Sequence, residues 1–140
     1  MRRRVPAPRE IVYEAWTDPE DIREWMCPGD IIAAEATLDL RVGGSFRIIM
    51  RSNKEVYEHF GTYRIVEPPM KLSFTWTGGN AGNEITLVTV EFIAQGDETD
   101  LVITHEGFAQ GGLAQRYEMG WGTVARKFAE YFTNAEKKNA

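Results

Sequence analysis

The sequence predicts an α+β fold in which a strongly curved antiparallel sheet wraps around one long C-terminal helix. Three observations predict it. Between residues 31 and 106 the apolar side chains recur with a period of two, as in strands that bury one face. Between residues 112 and 134 the period becomes helical, with Leu113, Tyr117, Trp121, Val124, Phe128, Tyr131 and Phe132 on one stripe and Glu118, Arg126, Lys127 and Glu130 turned away from it. At 1.5 Å per residue that helix would be roughly 33 Å long, and so aromatic a stripe needs a broad apolar partner. Third, glycine and proline turns punctuate the alternating region often enough to make it a meander, with one wet face and one apolar face. The long helix can bury its stripe only across the apolar side of that sheet, and the sheet must curve to reach round it.

The elements follow in order. A short strand over residues 1–6 ends at Pro6-Ala7-Pro8, and Pro8 suits the first turn of a small helix through Trp16. Ile11, Val12, Ala15 and Trp16 form its apolar face. Thr17 or Asp18 caps a second helix, with Glu20 completing a capping box if Thr17 does so. Ile22, Trp25 and Met26 are its buried side, and Pro28-Gly29 stops it, so the two helices together occupy 8–26. In the sheet, Ala34, Ala36, Leu38 and Leu40 alternate with polar residues up to the turn at Gly43-Gly44. Phe46, Ile48 and Met50 follow, then Tyr57, His59, Gly61, Tyr63 and Ile65 on one face until Pro68-Pro69. Leu72, Phe74 and Trp76 lead into the glycine-rich hairpin loop at 78–83; Val88, Val90 and Phe92, then Leu101, Ile103 and His105, complete six strands after the small helices. No linker, repeat or low-complexity segment divides the 140 residues, which read as a single domain.

Composition bounds the function. Apolar residues make up 43% and charged residues 26%, which is globular rather than disordered. The net charge of −5 argues against nucleic acid as a partner. Arg2, Arg3 and Arg4 are the one basic run and read as a solvated chain end. The single cysteine, Cys27, excludes an internal disulfide and suits a reducing compartment. Without a membrane-length apolar run or a signal-peptide pattern, the expected location is the cytoplasm, with no membrane insertion.

Several local strings also carry a resemblance. They are Val12-Tyr13-Glu14-Ala15-Trp16-Thr17-Asp18-Pro19-Glu20, Asp39-Leu40-Arg41-Val42-Gly43-Gly44, Phe74-Thr75-Trp76, Thr104-His105-Glu106-Gly107-Phe108, and Gly120-Trp121. In this order, spread from residue 5 to about 132, they resemble the START-like (helix-grip) superfamily. Within it, the likeness is to bacterial proteins similar to the activator of the heat-shock-protein-90 ATPase. The resemblance implies a helix-grip fold of six to seven strands and a binding space for a hydrophobic molecule between the sheet and the last helix. Members of the superfamily bind lipids, hormones or polyketides, and some are cyclases, so fold alone does not choose among these roles.

The candidate chemistry lies in aromatic residues on inward faces. Trp76, Trp121, Phe74, Tyr63, Phe46 and Met50 are expected to line a pocket, joined by Val124, with Tyr117 and Trp25 near its mouth and His59 and Tyr63 as polar groups that orient a ligand. Tyr57 and Phe128 also face inward. His59 and His105, the only histidines, share the inward parity; either could act as acid or base, but a histidine hydrogen-bonded within the wall is the preferred reading. Two distant histidines without a clustered Asp or Glu do not make a zinc site, and no metal or cofactor is called for. Glu58 and Glu106 have the opposite parity, Asp39 and Arg41 on the outer face of their strand suggest a surface ion pair or a turn brace, and Cys27 has no adjacent base. Neither glycine run has the following helix of a phosphate-binding loop.

The expected function is binding of a hydrophobic or aromatic small molecule between sheet and C-terminal helix. The alternatives are a cyclase or hydrolase using a cavity histidine and a stress-related interaction module that engages a chaperone or a second copy of itself as a homodimer. No catalytic residue is assigned.

Overall fold

The computed structural model describes residues 1–26, 31–78, 85–107 and 121–133. Seven antiparallel strands form one sheet in the order β1-β7-β6-β5-β4-β3-β2. They are β1 (Arg2–Val5), β2 (Ala33–Leu38), β3 (Ser45–Arg51), β4 (Val56–Glu67), β5 (Lys71–Gly78), β6 (Thr86–Gln95) and β7 (Glu98–Glu106). Two short helices, α1 (Arg9–Thr17) and α2 (Pro19–Trp25), separate β1 from β2. Residues 121–133 are helical, and we label them α3. This is the expected α+β helix-grip architecture. The expected first turns of the last helix (112–120, with Tyr117), the loop at 79–83 and Cys27 lie outside the described residues.

Sequence chemistry explains the joints. Asp18, not Thr17, caps α2: its carboxylate accepts from the Glu20 amide at 2.8 Å, and Pro19 takes the first helical position. Thr17 instead turns back to the Tyr13 carbonyl at 3.0 Å and closes α1. Pro8 stands one place earlier than the first turn, at the cap of α1. Ile11 departs from its expected face and is 51% exposed, because Val12, Tyr13, Ala15 and Trp16 already fill the buried side of this nine-residue helix. β2 stops at Leu38, so the exposed pair Arg41–Asp39 (2.7 Å) braces the following turn rather than a strand face.

The opening arginines have a specific partner. Arg2 and Arg4 both bond Asp100 on β7, at 2.9 and 2.5 Å, and their hydrogen bonds hold its carboxyl below the usual carboxylate range. They fasten β1, which extends the sheet beyond the six-strand meander, along its register Arg2↔Val102 to Val5↔Thr99.

The core lies on the concave side. Phe46, Ile48, Met50, Tyr63, Leu72, Phe74, Trp76, Val88, Val90, Phe92, Leu101 and Ile103 enter it from the sheet, and Trp121, Val124, Ala125, Phe128 and Phe132 from α3. Gly61 sits among these inward residues for a steric reason. A Cβ there would come within 1.9 Å of the Thr75 carbonyl oxygen and 2.8 Å of the Phe46 ring. Gly61→Ala is therefore expected to destabilise the protein by about 2–3 kcal/mol in urea unfolding, since neither the paired strand nor the packed ring can give way freely. An unchanged midpoint would contradict this packing.

Candidate functional site

The aromatic interior has two halves. On the α3 side, Trp121 meets Trp76 with ring centroids 5.3 Å apart. Its indole Nε1–H donates to His105 Nδ1 at 2.8 Å. His105 Nε2 then carries the proton and donates to Thr86 Oγ1 at 2.6 Å, and that hydroxyl donates to the Trp76 carbonyl at 2.9 Å. The last helix is thus joined through β7 and β6 to β5 by consecutive hydrogen bonds, with both imidazole nitrogens engaged. The expectation that His105 is bonded within the wall describes this arrangement.

On the other side, α1 and α2 contribute Trp16 and Trp25, whose rings meet at 4.5 Å tilted by 42°, and Phe128 of α3 meets Trp25 at 4.6 Å and Trp16 at 5.2 Å. Trp25 donates its Nε1–H to the Ala15 carbonyl at 3.0 Å. Tyr131 of α3 donates to Asp21 of α2 at 2.6 Å, and this bond pushes its pKa up to about 12.

Between α2 and the strands lies a recess lined by Trp16, Ile22, Trp25, Met26, Thr37, Leu38, Phe46, Ile48, Tyr63, Phe74 and Trp76. It leaves about 20 Å³ for the centre of a water molecule, room for one. Thr37 is exposed and Leu38 half-buried, which puts the mouth between α2 and the edge strand β2.

Of the residues expected to line a pocket, Trp25, Phe46, Tyr63, Phe74 and Trp76 border this recess. Trp25 stands deep in it rather than at the mouth, only 1% exposed. Met50, His59, Trp121 and Val124 are buried but lie outside this wall. Tyr117 lies outside the described residues. This recess opens beside α2, while among the described residues of α3 Trp121 packs directly on Trp76. Sequence reasoning missed Trp16, Ile22, Met26, Thr37, Leu38 and Ile48 as wall residues. The available signals were the parity Ile48 shares with Phe46, and buried helix faces that had to point at the same interior.

His59 is 8% exposed, and its ring stacks on Trp76 at 4.6 Å and 20°. Its Nδ1 has no protein partner, nor has Trp76 Nε1 or the Tyr13 hydroxyl. Burial pushes the His59 pKa down to about 4; for His105, burial and then the neighbouring His59 do the same, also to about 4. Burial, then Tyr13, raises the Tyr63 phenol, and burial raises Tyr13, so both stay protonated donors. Glu58 points outward and pairs with Arg47 through two 3.0 Å bonds, consistent with its opposite parity. Among the described residues no group of His, Cys, Asp and Glu could hold a metal, and no helix is long and apolar enough to cross a membrane.

Both histidines are neutral in the fold, and the unfolded chain protonates them first as pH falls. Stability is therefore full above about pH 6.5 and lost as pH drops from 6.5 toward 4, by roughly 3 kcal/mol at the limit for the buried His59 and by less for the partly exposed His105. Urea midpoints measured at pH 7, 6 and 5 should fall steadily, and the double variant His59→Gln, His105→Gln should flatten the trend. A wild-type midpoint constant over this window would contradict the account.

Residues 6–133 match the family model described as "Activator of Hsp90 ATPase homolog 1-like protein". No curated protein matches the sequence. Among solved structures, a protein from Chromobacterium violaceum is similar at 22% identity and TM-score 0.77, covering 93% of each chain. CalU16 from Micromonospora echinospora is similar at 23% identity and TM-score 0.72, over 98% of this chain and 76% of that one. DynU16, described from the dynemicin biosynthetic locus, is similar at 21% identity and TM-score 0.80, over 96% of this chain and 46% of that one. At these identities the likeness speaks for the fold.

Proposed function

The chain belongs to the activator of Hsp90 ATPase homolog 1-like family, and from that premise we propose that it binds a hydrophobic or aromatic small molecule in the recess between its sheet and α2. The single observation that carries this reading is the wall itself. Trp16, Trp25, Phe46, Phe74 and Trp76 converge on one space that opens to solvent at Thr37 and Leu38. The driving force is burial, worth around 0.8 kcal/mol for each ligand methylene taken from water.

The room present fits one water, so a ligand is admitted only as α2 moves outward with Ile22, Trp25 and Met26. A seven-residue helix is short enough to do so; it has little stability of its own and depends on its packing. The association of DynU16 with the dynemicin biosynthetic locus extends the reading to biosynthetic small molecules as cargo, with a cyclase-type role as a further step only if turnover is found.

The test is a titration of hydrophobic aromatic compounds followed by tryptophan fluorescence, beside the variant Thr37→Trp. Thr37 is exposed in the edge strand, so the larger ring should leave the fold intact while closing the mouth. Wild type should respond with saturable quenching, and the variant should bind at least tenfold more weakly. Absence of any response in wild type, or unchanged affinity in Thr37→Trp, would overturn this location.

A further inference from the structure

Among the described residues, three buried polar side-chain atoms lack a hydrogen-bond partner: Trp76 Nε1, in the wall of the recess, and His59 Nδ1 and the Tyr13 hydroxyl, outside it. Their residues are 3%, 8% and 6% exposed, respectively. Folded proteins satisfy the large majority of such groups, and each one left unmet carries the full cost of its desolvation. Only Trp76 borders the recess itself, and the His59 ring lies flat against that indole from outside the wall.

Their chemistry has a direction. The indole N–H can only donate, and the Tyr13 phenol stays protonated and can donate too. His59 is neutral, so its Nδ1 donates or accepts according to its tautomer. No Asp, Glu, Lys or Arg borders the recess, and a charged ligand would lose its hydration with no counter-charge to replace it. The aromatic rings that form most of the wall accept a flat molecule with the least rearrangement.

Resting on the binding function proposed above, we propose that the ligand is an uncharged, flat, conjugated molecule bearing a carbonyl oxygen, and that this oxygen accepts a hydrogen bond from Trp76 Nε1. Simple aromatic hydrocarbons gain the burial but leave the indole N–H unmet.

The test uses three flat tricyclic probes: 9-fluorenone, which has the carbonyl; fluorene, which lacks it; and fluorene-9-carboxylate, which is charged. Fluorenone should bind about tenfold more tightly than fluorene, and the carboxylate more weakly than either. Trp76→Phe removes wall area and should weaken both probes, but fluorenone more, so that the fluorenone-to-fluorene affinity ratio falls toward one. If that variant fails to fold, the wild-type protein still decides. It has four tryptophan indole N–H signals, and the one assigned to Trp76 should move downfield with fluorenone and not with fluorene. Equal affinity for fluorenone and fluorene, or an unmoved Trp76 signal, would mean that water meets this N–H; the carbonyl assignment would fall and the hydrophobic binding function would stand. No binding of any of the three would remove both.

Discussion

Trp121 fixes the last helix to the sheet, and the interior is arranged around that contact. Its ring lies against Trp76 and Trp16, and its N–H begins the hydrogen-bonded chain through His105 and Thr86 to the Trp76 carbonyl. Aromatic burial supplies most of the driving force, but burial alone is non-directional and would tolerate sliding of α3 along the concave face. The polar chain removes that freedom. It also sets the protonation of His105, because an imidazolium has no lone pair to accept the Trp121 N–H.

The interior is consequently unequal on its two sides. Among the described residues, α3 is packed on Trp76 through Trp121 and hydrogen-bonded to the sheet. Beside α2 the wall is mostly aromatic and aliphatic, a small gap remains, and the buried Trp76 N–H has no acceptor among the described residues. α2 is held by its Asp18 cap, by Trp25 on Ala15 and by Tyr131 on Asp21, and none of these bonds reaches the sheet. A ligand that opens this side displaces a short helix and the two side-chain contacts it makes with α3, Tyr131 on Asp21 and Phe128 on Trp25, but leaves intact the hydrogen-bonded chain that positions α3 on the sheet.

Much of this was legible in the residues. Period-two alternation placed Phe46, Phe74 and Trp76 inward, and helical spacing placed Trp121, Val124, Phe128 and Phe132 on one stripe, because each pattern is a direct projection of backbone geometry. Parity also put both histidines on the inner face. What was not legible depends on packing between distant segments. Nothing in the spacing of Ile22, Trp25 and Met26 says that they face Phe46, Phe74 and Trp76 across a recess beside α2. Asp100 as the shared partner of Arg2 and Arg4 was equally hidden, since the pairing joins residues almost a hundred positions apart. Ile11 misled because a helix of nine residues buries only part of its apolar perimeter.

The central claim is that the interior is clamped at α3 and yields at α2. Amide hydrogen exchange, measured with and without saturating 9-fluorenone, tests it most directly. The account predicts altered protection across residues 19–25 and the edge strand β2, with the amides of β6, β7 and 121–133 unchanged. Protection changes concentrated in 121–133, with 19–25 silent, would contradict it.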